Sequence, residues 1–127
     1  MRNVLTTGLS LIALLAAGPA QAVTPVTPPK VPVAFQGLWA GPGKSCSPGA
    51  DPSQIRLRKN SIWMSSHDHQ VLRATPRGPR EVVMVVQVLS GDVYEDRTFR
   101  FRLSADGKQL TEVGTRANVV RRLCAKP

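Results

Sequence analysis

The 127-residue sequence is poor in cysteine, histidine and acidic residues. Its two cysteines allow only one intramolecular disulfide. No C-x-x-C pair or cluster of further ligands accompanies them, so a structural zinc site is not expected. Eight acidic residues stand against 17 Lys and Arg, for a formal net charge of +9. After residue 22 no apolar run approaches the roughly 20 residues of a membrane-spanning helix. No helical periodicity of useful length is present either, which favours an all-β fold.

Residues 1–22 have the three parts of a secretory signal peptide. Arg2 precedes an uncharged run, Val4–Ala17, and Gly18-Pro19 interrupts that run. A small-x-small cleavage site, Ala20-Gln21-Ala22, follows. We therefore predict a periplasmic or secreted protein, exported by a bacterial Sec-type route and without a membrane span. An uncleaved N-terminal anchor is the alternative.

Both cysteines, Cys46 and Cys124, follow the predicted cleavage site. An oxidising compartment allows them to pair, and with two cysteines only one pairing exists. We predict a Cys46–Cys124 disulfide that connects the start of the folded domain to its last residues. Two free thiols are the alternative.

The rest of the chain divides into a tether and one domain. Residues 23–34 contain four prolines, which favour an extended tether and exclude a helix or a central strand. Residues 35–127 are enough for one domain only. Within them, short β-like runs alternate with turn residues.

These runs predict eight strands, at 35–40, 54–58, 61–65, 69–74, 80–89, 93–103, 109–113 and 117–123. Connections of hairpin length favour an up-and-down antiparallel meander. Eight strands can close into a barrel, which removes exposed sheet edges. We therefore predict a small all-β domain that forms a closed or nearly closed barrel, with an open β-sandwich as the alternative.

A G-x-W motif, Gly37-Leu38-Trp39, lies at the first predicted strand, and Arg121-Arg122 lies in the last strand, just before the final cysteine. This pattern resembles that of lipocalins and the wider calycin group. The resemblance implies that Trp39 plugs one end of the barrel and that Arg121 or Arg122 packs across its ring in a cation–π contact. The domain is shorter than a typical lipocalin and has no predicted C-terminal helix. The alternative is that Gly37 and Trp39 belong to a generic strand.

Bulky residues dominate the positions expected to face the interior. An eight-stranded barrel is just wide enough for side chains to fill it or for one small ligand. We therefore expect a filled interior without a roomy cavity. The residues expected inside are Leu38, Ile55, Leu57, Ile62, Met64, Met84, Val86, Phe99, Phe101, Leu103 and Val120.

One short cluster has metal-ligand character, His67-Asp68-His69. His67 and His69 share a strand face, but a metal would need a further ligand from elsewhere. The cluster also lies at a predicted turn, where such residues are common. We therefore predict no metal and no other cofactor. Neither a G-x-S-x-G elbow nor a pair of carboxylates on one strand face is present, so no catalytic residue is predicted. A metal-dependent enzyme that uses this cluster is the least favoured hypothesis.

Four arginines are expected on the outside of the barrel, because each alternates with apolar residues. They are Arg56, Arg58, Arg100 and Arg102. If their strands are neighbours, they form one basic stripe that attracts an acidic protein or an anionic envelope polymer. The alternative is a merely solvated face. The phenylalanines beside the second pair point to the other face, which argues against base stacking and a nucleic-acid partner.

Together these features favour a small exported, non-enzymatic β-barrel that acts by surface contact with an acidic partner or an anionic envelope component. Protein inhibitors and immunity-type proteins have this size and architecture. A calycin-like carrier of a small ligand is the second hypothesis.

Overall fold

The chain folds into a closed antiparallel β-barrel. The computed structural model describes residue 18 and residues 30–127. In this part of the chain, eight strands follow a short 3-10 helix, Val33–Phe35, in meander order, and the last strand pairs with the first. The predicted all-β class and eight-stranded barrel are confirmed. The strands are β1 (Gly37–Ala40), β2 (Ile55–Leu57), β3 (Ser61–Met64), β4 (His67–Pro76), β5 (Glu81–Ser90), β6 (Val93–Leu103), β7 (Gln109–Glu112) and β8 (Val119–Ala125).

The predicted signal peptide, apart from residue 18, and residues 23–29 of the predicted tether lie outside the described residues. The last residues assigned to the tether are part of the barrel instead. Val31 is fully buried, and its N–H donates to the Lys59 carbonyl at 3.1 Å. Phe35, at the end of the 3-10 helix, is also buried. In the described residues, no helix is long and apolar enough to cross a membrane.

The meander order gives the barrel two different ends. At the first, named the closed end, lie the 3-10 helix and the short connections 58–60, 77–80 and 104–108. At the second, named the mouth, lie the long connection 41–54, the two-residue turns 65–66 and 91–92, and the connection 113–118. The long loop and the turn of the longest hairpin, β5–β6, therefore both lie at the mouth.

Trp39 fills the closed end. Its side chain is fully buried, and its indole Nε1–H donates to the Phe35 carbonyl at 3.0 Å. Gly37 begins β1 at a φ of 146°, and a Cβ at this position would lie 2.7 Å from the Ala125 carbonyl oxygen. Only glycine fits both the backbone conformation and this close approach of β8.

The cation over the Trp39 ring is Lys126, whose Nζ lies 5.8 Å from the ring centroid. Lys126 takes the place that the resemblance assigned to Arg121 or Arg122. The same ammonium group donates to the Ala34 carbonyl at 2.9 Å. Lys126 follows β8 directly, so the end of the chain covers the closed end of the barrel.

The interior is packed at the closed end and through the middle of the barrel. The largest fully buried apolar side chains there are Trp39, Phe101, Leu57, Ile62, Met84 and Leu110. Two residues predicted inside face outward. Leu38 alternates with the inward-facing Trp39, although it is only 6% exposed on the outer face, and Val120 alternates with the buried Arg121.

Candidate functional site at the barrel mouth

A cavity of about 580 Å³ opens at the mouth, where the sequence predicted a filled interior. That prediction is wrong at this end, because Met64 and Phe99 are only partly buried and charged residues take the inward positions beside them. The volume lies within the usual range of small-molecule pockets. The apolar part of its wall comprises Pro52, Ile55, Met64, Val88, Leu89 and Phe99.

Arg121 is the buried charge of this cavity, with 7% of its surface exposed. It lies on the inward face of β8, paired with Leu110 of β7. Its Nε–H donates to the Ser53 carbonyl at 2.6 Å, and its Nη1 donates to Glu112 Oε1 at 3.2 Å. A guanidinium has five N–H donors. The bonds to Ser53 and Glu112 use Nε and Nη1, Nη2 has no hydrogen-bond partner within residues 30–127, and Arg121 lines the cavity.

Two ion pairs keep the mouth close to electrical neutrality. The first is Arg121 with Glu112. The second joins Arg97 and Glu95, with Nη2 and Oε1 2.7 Å apart, and both of these side chains are about half exposed. Arg97, Arg121 and Glu112 line the cavity, and Glu95 lies on the same face of β6 as Arg97. A polar ligand therefore meets hydrogen-bond donors and acceptors together rather than a net positive charge.

Both histidines of the predicted cluster face the mouth cavity, and Asp68 between them faces outward. The His67 and His69 rings lie 6.4 Å apart, and the His67 Nδ1 lies 2.9 Å from the Ser65 carbonyl oxygen. His69 is 8% exposed, and no protein group in residues 30–127 hydrogen-bonds to its ring. Asp68 accepts from Arg58 outside the barrel. Within the described residues, no third His, Cys, Asp or Glu joins the two histidines in a metal-ligating cluster.

The connection 41–54 forms one wall of the mouth, and the disulfide fastens it to β8. Cys46 and Cys124 are bonded, with their Cα atoms 5.6 Å apart, so the predicted disulfide is confirmed. Arg122, outside the barrel, donates from Nη2 to the Lys44 carbonyl at 2.6 Å. Gln54 is 1% exposed, and its Nε2 donates to loop carbonyls, including that of Ser45 at 2.8 Å. The wall is thus held from both sides.

Asp51 fixes the base of the same loop. Its Oδ2 accepts from the Ser53 hydroxyl at 2.6 Å and from the Gly41 N–H at 3.0 Å, and its Oδ1 accepts from the Ser53 N–H at 3.0 Å. These bonds, the Ser53 hydroxyl first, hold the pKa of the Asp51 carboxyl below its ordinary value. The charged form is therefore favoured in the folded protein.

Replacement of Asp51 by asparagine is expected to lower the free energy of unfolding at neutral pH. This free energy is also expected to fall less than that of the wild type as the pH is lowered. A lowered folded-state pKa stabilises the protein above the unfolded-state pKa, and this contribution disappears as the pH falls through the folded-state value. Urea unfolding from about pH 7 to about pH 2 measures the effect. Asp92→Asn, in an exposed turn, is the control. An acid dependence equal to that of the wild type in Asp51→Asn would contradict this role.

The predicted basic stripe does not form, although all four arginines lie outside the barrel as expected. Arg56 lies in β2 and Arg58 directly follows that strand, whereas Arg100 and Arg102 lie in β6. Three strands separate β2 from β6 in either direction. The pairs therefore lie on opposite sides of the barrel. Both β6 arginines also contact the Glu81 carboxylate, at 2.6 and 3.6 Å. The Arg100 hydrogen bond is the main reason why the pKa of Glu81 lies below its ordinary value.

Comparisons with protein-family models, with curated proteins and with solved structures find no match for this chain. The resemblance to lipocalins and calycins therefore stays a prediction.

Sequence reasoning missed the residues that make the mouth a site, chiefly Glu112, Arg97 and the inward role of Arg121. β8 has two equivalent alternating sets, Val119, Arg121 and Leu123 on one face and Val120, Arg122 and Cys124 on the other, so alternation alone does not show which arginine faces inward. An arginine at an alternating position among apolar residues points inward when its neighbours do. Glu112 could not be predicted either, because its contact with Arg121 depends on the pairing of β7 with β8.

Proposed function

We propose that the protein is an exported binding protein that holds one small amphipathic ligand in the mouth of its barrel. The observation that carries this proposal is Arg121, a buried guanidinium that lines a cavity of about 580 Å³ and whose Nη2 has no partner among the described residues. Buried ion pairs contribute little net stability compared with apolar packing. A barrel that only had to pack its interior would place apolar side chains here, as it does at the closed end.

The cavity wall defines the chemistry of the ligand. Met64, Val88 and Phe99 offer an apolar surface for the body of the ligand. Arg121 donates hydrogen bonds and the Glu112 carboxylate accepts them, so the head group needs both an acceptor and a donor. Because Glu112 lies next to Arg121, an uncharged or zwitterionic head group fits better than a simple anion. His69 offers a further ring nitrogen at the same wall.

Surface contact with an acidic partner, which the sequence favoured, has less support from the geometry. Its strongest argument was one continuous stripe of arginines, and the barrel places the two pairs on opposite sides. Arg58 also contacts Asp68, and both β6 arginines contact Glu81. Ligand binding in the mouth, the second hypothesis from the sequence, is therefore the function proposed here. Export to the periplasm or beyond belongs to the same proposal, with support from the signal-like residues 1–22 and from the Cys46–Cys124 disulfide.

Filling the cavity is expected to abolish binding of an apolar probe. Val88 lies on the inward face of β5 and lines the cavity, so Val88→Trp fills part of it. We expect the uncharged dye N-phenyl-1-naphthylamine to fluoresce on binding to the wild type and to bind Val88→Trp at least about tenfold more weakly, a loss of roughly 1.4 kcal/mol. Fluorescence titration measures both affinities.

Val85→Trp is the matched control, because Val85 lies on the same strand but faces outward. It adds the same side chain to the protein and is expected to leave dye binding unchanged. Equal affinities of the wild type and Val88→Trp, or no saturable binding by the wild type, would refute binding in the mouth.

A further inference from the structure

The β5–β6 hairpin extends further than the barrel around it. β6 pairs with β5 along its whole length, from Arg102 opposite Glu81 to Val93 opposite Ser90. On its other side, β6 pairs with β7 only at residues 101–103. Within the described residues, Val93–Phe99 of β6 therefore have a strand on one side only, over a length of roughly 20 Å.

The direction of the backbone groups follows from two hydrogen bonds. The Leu103 N–H donates to the Arg80 carbonyl on the β5 side, and the Arg100 carbonyl accepts from the Val113 N–H on the β7 side. Successive residues of a strand face opposite neighbours. The even-numbered residues beyond Arg100 thus direct their N–H and C=O groups away from β5. These residues are Tyr94, Asp96 and Thr98.

This edge is free in the described part of the chain. Residues 93–98 are all exposed, and none of their backbone groups on the β7 side has a partner within residues 30–127. Proteins usually protect such edges with a proline, a bulge, a covering segment or charged side chains. Of these devices the segment has only charged side chains, and two of them, Glu95 and Arg97, pair with each other. Here the β5–β6 ladder runs without a register shift from Glu81 to Ser90, and β6 contains no proline.

We propose that the free edge of β6 accepts an extended segment of a protein partner as an additional strand. Strand addition uses backbone hydrogen bonds for affinity and alternate side chains for specificity. Asp96 is exposed at the middle of the edge and belongs to no ion pair among the described residues. Tyr94 and Val93, at its end, are 65% and 68% exposed. The partner segment therefore carries a basic residue opposite Asp96 and apolar residues opposite the hairpin tip.

This proposal goes beyond ligand binding in the mouth, because it uses the backbone edge of β6 rather than the cavity. Different experiments therefore refute the two proposals, and refuting one leaves the other standing. Filling the cavity with Val88→Trp leaves the edge intact, and blocking the edge leaves the cavity wall of Val88, Met64 and Arg121 intact.

Amide hydrogen exchange of the full chain provides the first test. The probe is an acetylated and amidated octapeptide of alternating valine and lysine. At saturation we expect exchange at Tyr94, Asp96 and Thr98 to slow by at least about tenfold. The amides of Glu95 and Arg97 already face β5 and are expected to stay unchanged. An octapeptide of alternating valine and glutamate is expected to bind more weakly, because it places carboxylates opposite Asp96.

A pair of variants at one position separates the backbone from the side chain. Asp96→Pro removes the outward N–H, whereas Asp96→Ala removes only the carboxylate. We expect Asp96→Pro to bind the valine–lysine peptide at least about tenfold more weakly, and Asp96→Ala to lose a few-fold in affinity. If Asp96→Pro does not fold, N-methylation of alternate peptide residues replaces it. Methylation of the alternate residues whose N–H groups face β6 is expected to abolish binding. Methylation of the other set of alternate residues is expected to preserve it.

Three results would overturn the proposal. The first is an absence of protection at Tyr94, Asp96 and Thr98 at millimolar peptide. The second is peptide binding that neither Asp96→Pro nor N-methylation of either set of alternate residues weakens. The third is protection of these amides without peptide that rises with protein concentration, since the edge would then belong to a second copy of this chain.

Discussion

Replacement of Trp39 by alanine is expected to lower the free energy of unfolding by about 3–5 kcal/mol, a large part of the stability of a small domain. Trp39 is fully buried, and it fills the closed end between the 3-10 helix and the strands. Its removal leaves a cavity in the core cluster and frees the Phe35 carbonyl that accepts the indole N–H. Urea unfolding followed by far-ultraviolet circular dichroism measures the loss.

Two variants control for this effect. Trp39→Phe keeps most of the buried ring and removes the indole N–H, so a smaller loss than with alanine is expected. Trp63→Ala removes the other tryptophan, which is partly exposed and faces outward opposite Arg56. A loss in Trp63→Ala as large as that in Trp39→Ala would contradict the role of Trp39 as the plug of the closed end.

Removal of the disulfide by Cys46→Ser with Cys124→Ser is expected to cost about 4–5 kcal/mol in the chain-entropy model, since the two cysteines are 78 residues apart. In the unfolded state, the bond closes a loop that contains most of residues 30–127 and so restricts the conformations of this part of the chain. It also holds the connection 41–54 against β8, so the mouth is expected to lose order before the closed end does. Chemical denaturation gives the overall loss, and hydrogen exchange shows which end opens first.

The wild-type protein under reducing conditions is the control for this double variant. Both lack the bond, and both are expected to unfold at the same urea concentration. If the double variant were as stable as the oxidised wild type, the disulfide would not restrict the unfolded chain as the model requires. A larger loss in the double variant than in the reduced wild type would instead point to the serine substitutions themselves.

Local patterns were enough to predict the strands and their order. β5 and β6 are rich in β-branched and aromatic residues. Burial alternates along most of β5 and over residues 99–103 of β6, as the sequence indicates. Short polar turns join consecutive strands, so neighbours in sequence become neighbours in the sheet. Local composition indicates the extended conformation of the proline-rich residues, but it does not indicate that Val31 is buried or that its N–H bonds to the Lys59 carbonyl.

At the mouth, local sequence patterns do not decide which residues face inward. Arg121 and Arg122 are adjacent and chemically identical, yet one is buried beside Glu112 and the other lies outside on the Lys44 carbonyl. Alternation assigns them to opposite faces, but only the pairing of β8 with β1 and β7 decides which face is inside. The resemblance assigned either of them to the Trp39 ring, where Lys126 lies instead.

By itself, the sequence determined the all-β class, the eight strands and their meander order, because alternation and turn residues are local properties. It also determined the disulfide, because two cysteines allow only one pairing. It also predicted export, through residues 1–22. Only the tertiary structure decided that Arg56 and Arg58 lie far from Arg100 and Arg102, and that the mouth contains a cavity. It also decided that part of β6 has no second neighbouring strand among residues 30–127. Each of these depends on how strands distant in sequence close around one another, and on how far each strand extends past its neighbours.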